Sequence, residues 1–311
     1  MSAQVTQLRP PRPIKARHVQ LLTHMTAGQA FRVTLQNCLT QIAGNVPSVR
    51  ARQSEGVHQL RVGLRRLNTA LVSFGDPFRI KRVKSLRRQT KAMAKMFGPA
   101  RDLDVFLDEC LGPVMQATQK SQSLILLKER AEDARTKAWD EALEKLESGV
   151  LQNFLDEATA ASTAKRWEKI GGAPIAETAA STLQNTLAKA HKCARHLDRG
   201  EDEDFHRLRL ALKKLRYTTE FFECLYQPAV VGAYLNRLKS LQDVLGAMND
   251  AAAARAMLQH LSPEDANEQA LCEQSHASDL IAGWHAARSA RFTAKALRKW
   301  ERLRGEQPFW H

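Results

Sequence analysis

The chain has 311 residues, of which 47 are Lys or Arg and 33 Asp or Glu, giving a net charge of +14. Hydrophobic residues make up 43%, enough to build cores, yet no run of about 18 apolar residues appears, which argues against a membrane-spanning helix. Five scattered cysteines (Cys38, Cys110, Cys193, Cys224 and Cys272) form no C-x-x-C pair, which argues against a disulfide framework or a zinc site and leaves buried free thiols as the simple reading.

Residues 1–25 open the chain with Arg9-Pro10-Pro11-Arg12-Pro13, a proline-rich linker or arm. Met1 to Lys15 has no apolar core of signal-peptide type, so a cytoplasmic protein is expected. Thr26 caps a first helix to about Ala43, with Phe31, Leu35, Leu39 and Ile42 on one side, and Gly44 and Pro47 end it. Ser54 caps a second helix in which Leu60, Leu64, Leu67 and Leu71 share one face and His58, Arg61 and Arg65 the opposite one. Gly75-Asp76-Pro77 stops it. A third helix, from about Phe78 to Phe97, carries Lys84, Arg87, Arg88, Lys91 and Lys95 on a narrow stripe with Val83, Leu86, Met93 and Phe97 opposite. Gly98-Pro99 turns into a helix that holds Asp102 and Asp104 and runs to about Cys110.

Residues 117–148 read as a charge-mixed outer helix that packs through Leu124, Leu127, Ala131, Ala138 and Leu143. A shorter segment, Gly149 to Lys169, leads to Gly171-Gly172-Ala173-Pro174, the expected boundary between two bundles. Helices are then expected over 175–196, 204–225 (capped by Asp202 or Asp204), 230–245 and 248–260. Ser262-Pro263 caps a last helix, which closes at about Arg304, and 305–311 form a loose tail. No stretch alternates with period two for long enough to read as a strand.

The second half repeats the first at an offset of 148 residues. Leu35-Gln36-Asn37 matches Leu183-Gln184-Asn185, Lys91 matches Lys239, Gly98 matches Gly246 and Asp102 matches Asp250. The basic face of the second helix recurs as well: His58, Arg61, Arg65 and Arg66 match His206, Arg209, Lys213 and Lys214. These residues spell H-x-x-R-x-x-x-[RK]-[RK] twice, and the chain thereby resembles the CHAD family, the conserved-histidine α-helical domain, from about residue 26 to 304. The expected fold is all-α: two similar antiparallel helical bundles, 26–170 and 171–304, related by approximate internal two-fold symmetry. The resemblance implies that the two basic faces converge on a cleft or pore that binds inorganic polyphosphate, with association with polyphosphate granules as a corollary.

The charge excess by itself points to an anionic partner: nucleic acid, an acidic membrane surface or a phosphate polymer. A phosphate polymer asks for a line of cations, with Arg as a fixed fork and Lys as a mobile point charge. The candidate residues are His58, Arg61, Arg65 and Arg66; Lys84, Arg87, Arg88, Lys91 and Lys95; His206, Arg209, Lys213, Lys214 and Arg216; and Arg237 with Lys239. Few aromatics accompany them, Tyr217 being the nearest, which weakens the case for nucleic acid, where bases stack on rings. A solvated basic face is the plain alternative, but like charges four residues apart cost a helix a few tenths of a kcal/mol each, and both copies keep them.

His58 and His206 read as neutral orienting residues or partial anion donors, with a proton switch as the alternative. Asp102 and Asp250 read as helix N-terminal carboxylates or partners of an arginine; a metal-dependent phosphohydrolase built on them is a rival, as is an accessory lobe of a longer phosphate-handling enzyme. No cofactor or metal site is expected, and no nucleophile is arranged to cleave an anion. The third helix is unequal between halves, because Gly232, Leu235, Asn236 and Asp243 stand where the first copy has Lys84, Arg87, Arg88 and Lys95.

Overall fold

Residues 10–74, 81–118, 121–164, 167, 171–262 and 267–310 are described by the computed structural model. Among them there is no strand, only an isolated bridge between Thr26 and Pro174, and no helix is long and apolar enough to cross a membrane. The chain is all-α, as its periodicity predicts.

Helix α1 spans Ala27–Arg50. Thr26 starts it through a reciprocal box: its hydroxyl accepts from Gln29 N at 3.3 Å, and Gln29 Oε1 accepts from Thr26 N at 3.0 Å. The helix runs through both expected stops. Gly44 marks a close approach, since a Cβ there would lie 2.6 Å from Ile14 Cδ1. Asn45 on the next position clasps the backbone of Ile14, accepting from its N–H at 2.9 Å and donating to its carbonyl at 2.8 Å. Pro47 loses one helical hydrogen bond near the end, where burial of Ser48 and Val49 holds the last turn.

Helix α2 spans Ser54–Ser73, with Gln53 as its N-cap and no side-chain cap from Ser54. The expected stop at Gly75-Asp76-Pro77 and the first residues of the third helix lie outside the described residues. Helix α3 covers Lys81–Met96, and α4 covers Gly98–Val105. A π-turn, Phe106–Leu111, then joins α4 to α5, Gly112–Ala117, so the helix does not end at Cys110. Helices α6 (Gln122–Glu147) and α7 (Val150–Ser162) complete the first half.

In the second half α8 is Ile175–Cys193 and α9 is Asp202–Phe222, whose N-cap is Glu201. Asp204, offered as a cap, is buried in the first turn and pairs with Arg207. One helix, α10, runs Pro228–His260 where two were expected, and Gly246 sits inside it without a break. Helix α11 is Glu268–Arg304; Asn267 caps it, accepting from Ala270 N at 2.9 Å, in place of Ser262-Pro263, whose Pro263 lies outside the described residues.

The leucine faces of α2 and α9 meet in one buried cluster: Leu60, Leu64 and Leu67 join Leu208, Leu212 and Leu215 around Phe31, Phe74, Phe221 and Phe222. Each buried Leu or Phe contributes about 1.5–3 kcal/mol, so this shared core fixes the two helices against each other. A second cluster also crosses the halves, setting Leu103, Phe106, Leu124 and Leu127 against Ala254, Leu258 and Ile281.

Among the described residues, the segments before α1 and after α11 are tied down. Val19 and Leu21 of the N-terminal segment are buried, and Leu21 N donates to Cys224 Sγ at 3.2 Å. At the other end, Trp310 is buried against Tyr234 and donates from Nε1 to Gln184 Oε1 at 3.2 Å. The segment after Arg304 is therefore packed, contrary to the loose tail expected from its position, because two aromatic rings outweigh the entropy of ordering a few residues.

Candidate functional site

Burial of the leucine faces leaves His58, Arg61 and Arg65 of α2 and Arg209 and Lys213 of α9 only half-buried. The two helices touch at their C-terminal ends, where Ser73 Oγ and Thr218 Oγ1 lie 3.2 Å apart. Arg65 of α2 acts electrostatically on Arg209 and Lys213 of α9, and Lys213 acts in turn on His58. The structure thus brings Arg61, Arg65, Arg209, Lys213 and His58 together from helices 148 residues apart in sequence.

Arg61 and Arg209 each face one carboxylate, Asp102 of α4 and Asp250 of α10. Arg61 Nη2 lies 3.7 Å from Asp102 Oδ1, and its Nη1 donates to the Ala94 carbonyl at 2.7 Å. Gly98 makes that approach feasible: a Cβ there would sit 3.1 Å from Arg61 Nη1. Asp250 is the main opposing charge at Arg209. Burial lowers the pKa of both arginines, and the facing carboxylates hold them up. Burial likewise raises Asp102 and Asp250, while the arginines pull them down. The aspartates are partners of arginine, and among the described residues no three His, Cys, Asp or Glu converge as a metal cage requires.

The lysine is perturbed furthest. Burial first, then Arg209, Arg65 and Arg216, bring Lys213 from 10.5 down to about 7, and Asp250 offsets only part of this. Burial and then Arg101 lower His58 below the usual imidazole value. The Nε donors of Arg61, Arg65 and Arg209 are buried and have no acceptor among the described residues.

Not every candidate joins this cluster. Arg66 is 2% exposed and points the other way, donating from Nη1 to Asn37 Oδ1 at 3.0 Å and Gln41 Oε1 at 3.1 Å, with its guanidinium 5.4 Å from the Phe221 ring. Its place next to Arg65 puts it about 100° round the helix, on the core side. Lys214, its counterpart, is exposed. Arg216 is half-buried and pairs with Glu220 at 3.3 Å. His206 Nδ1 is 2.8 Å from Asn249 Oδ1. Arg237 is exposed and pairs with Glu306 at 2.8 Å, beside Tyr234 and the C-terminal rings. Lys239, two residues on and so nearly opposite, is exposed on the stripe that reaches Asp250 three turns later.

On α3, Lys84, Arg88, Lys91 and Lys95 are exposed at spacings of four, three and four, a single stripe. Arg87 is half-buried and engaged within the chain, so it departs from that stripe. The bond from Arg61 to Ala94 connects this helix to the cluster.

The sequence profile of the CHAD domain matches residues 33–259, which contain both signature helices and both third helices. The chain belongs to the CHAD family. A crystal structure of the CHAD domain from the plant Ricinus communis superposes with a TM-score of 0.82 at 26% identity, covering 95% of this chain and 98% of that one. PptA from Streptomyces chartreusis shares the fold at a TM-score of 0.64 and 15% identity, over 89% of this chain and 100% of that one. An uncharacterized protein of Mycobacterium tuberculosis is 27% identical over 228 residues, which are 68% of this chain and 41% of that protein. The chain therefore spans less than half the length of that relative.

Within this CHAD fold, sequence reasoning missed Arg101 and Asn249, which occupy matched positions at the 148-residue offset. Arg101 lowers the pKa of His58 in one half, and Asn249 meets His206 in the other. The signal was available: each residue directly precedes the matched aspartate, Asp102 or Asp250.

Proposed function

We propose that the chain binds inorganic polyphosphate, without cleaving it, in the recess between α2 and α9. The observation that carries this reading is the meeting of Arg65 with Arg209 and Lys213, cations held close together from two distant helices. Like charges held together at such a cost favour an anionic partner. Asp102 and Asp250, each set against an arginine, offer too little negative charge to neutralise the cluster. The exposed stripe of Lys84, Arg88, Lys91 and Lys95 extends the positive surface beyond the recess, which suits a polymer better than a single phosphate. Cytoplasmic location and association with polyphosphate granules follow as parts of the same proposal.

Titration with long-chain polyphosphate at several salt concentrations tests this reading, with duplex DNA and RNA as competitors. Affinity should fall steeply with salt through counterion release, and polyphosphate should displace both nucleic acids. Salt-insensitive binding, or preference for a nucleic acid, would overturn it. Incubation with magnesium or manganese should leave the polymer length unchanged; shortening that is abolished by Asp102→Ala would establish an enzyme instead. The length of the M. tuberculosis relative favours one second reading, in which this unit serves as an accessory lobe beside further domains.

A further inference from the structure

The C-terminal ends of α8 and α11 border an open hollow of about 490 Å³ that shares no residue with the cluster between α2 and α9. Its volume falls within the range of about 300–1,000 Å³ usual for small-ligand sites. Leu187 and Trp300, both largely buried, supply an apolar wall, and Ala188 lines it from the surface. The His191 ring meets Trp300 edge-on, with centroids 5.2 Å apart, and its Nε2 is buried with no hydrogen-bond partner among the described residues. Burial and then Arg304 lower the His191 pKa, which favours the neutral ring as part of the wall. Three full cations line the same hollow: Lys192, Arg195 and Arg304. Arg304 pairs with Glu301 at 2.7 Å, whereas neither Lys192 nor Arg195 has an ion-pair partner among the described residues. Lys192 and Arg304 sit in the last turns of their helices, where a cation offsets the helix dipole, but Arg195 lies past the end of α8. The dipole accounts for two cations singly, and not for an apolar hollow faced by three. Trp300 and Arg304 also lie beyond residue 259, where the match to the CHAD profile ends.

We propose that this hollow binds a small ring-bearing phosphate ester, of the size and charge of a nucleotide. Its phosphates face Lys192, Arg195 and Arg304, the arginines offering planar forks and the lysine a mobile point charge. Its ring lies on the wall that Leu187, Ala188 and His191 provide. A bare phosphate chain would leave that wall uncovered, and an uncharged ring compound would leave the cations unpaired. A ring joined to phosphate meets both, in the way that a mostly apolar pocket with a few convergent polar groups fixes a ligand. The proposal stands apart from the polyphosphate reading, since the two sites have no residue in common.

The test is calorimetric titration of the full chain with ATP, adenosine and tripolyphosphate, in a background of Arg65→Gln with Lys213→Gln that removes cations from the cluster between α2 and α9. ATP should bind at one site, at least tenfold more tightly than either adenosine or tripolyphosphate. Lys192→Gln with Arg195→Gln should lower ATP affinity at least tenfold. Ala188→Trp should do the same with every charge in place, because its ring fills the hollow. All three positions are exposed, and each variant is first checked for unchanged melting. No ATP binding, tripolyphosphate binding as tight as that of ATP, or full ATP affinity in either variant would overturn the proposal. Polyphosphate is titrated separately against the chain with its α2 and α9 cations intact. Polymer binding without ATP binding sinks the nucleotide site alone; ATP binding without polymer binding sinks the polymer reading alone.

Discussion

Lys213 makes the recess sensitive to pH in a direction that the neighbouring charges dictate. Its folded-state pKa of about 7 lies below the ordinary 10.5, so between those values the unfolded chain holds a proton that the folded chain lacks. Ligand-free stability should therefore gain a contribution as pH rises through that window. A bound polyanion restores the proton, so polyphosphate affinity should fall as pH rises from 7 toward 10, by at most about tenfold per pH unit for one proton. Isothermal titration across that range reads the slope, and Lys213→Met should flatten it; a slope that survives the substitution would place the proton elsewhere. Arg66 and Lys214 show what a motif cannot convey. They are equivalent letters of the signature, yet Arg66 is buried among Asn37, Gln41 and Phe221, partners that come from other helices. Arg66→Ala should destabilise the fold by about 2–4 kcal/mol, because it deletes charged hydrogen bonds and leaves a void. Lys214→Ala should stay within about 0.5 kcal/mol. Comparable denaturant midpoints for the two variants would contradict these placements.

The halves differ most in their third helix. In the first half α3 ends at Met96 and α4 starts at Gly98, whereas in the second one helix, α10, passes through the equivalent Gly246. The leucine faces were legible because burial follows helical period: Phe31, Leu35, Leu39, Ile42, Val83, Leu86 and Phe97 are all buried as expected. Helix ends were less so. Gly44, Pro47 and Gly246 are local stop signals, and packing around them outweighs the 1–3 kcal/mol they oppose to a helix. The basic stripe keeps Lys84, Arg88, Lys91 and Lys95 exposed, but Arg87 and Arg237 are drawn into contacts that spacing alone does not reveal. Replacing the four exposed cations of α3 with Gln should weaken polyphosphate binding at least tenfold, at about 1.4 kcal/mol per decade. Lys239→Gln should cost less, and Arg237→Ala should lower the melting temperature slightly while sparing affinity, its ion pair with Glu306 being half exposed. Equal losses of affinity from the α3 and α10 variants would show that the polymer does not follow α3.

At the scale of the molecule, the repeat in the sequence points to two matched basic faces, and the structure adds how they meet. Leucines from both signature helices share one core, and Arg65 of one helix acts electrostatically on Arg209 and Lys213 of the other. The N-terminal segment closes over α1 and reaches Cys224 at the end of α9, and Trp310 closes over α8, contacts between remote parts of the chain that no periodicity announces. The central claim is that one recess, made jointly by α2 and α9, receives the anion. The direct measurement is a binding cycle: Arg61→Gln with Arg65→Gln, Arg209→Gln with Lys213→Gln, and all four together, each titrated with the same polyphosphate after unchanged melting is verified. The account predicts one site, losses of at least tenfold in each pair, and a combined loss that departs from the sum because the residues act on a shared stretch of ligand. Two independent sites, or one pair whose removal leaves affinity untouched, would contradict it.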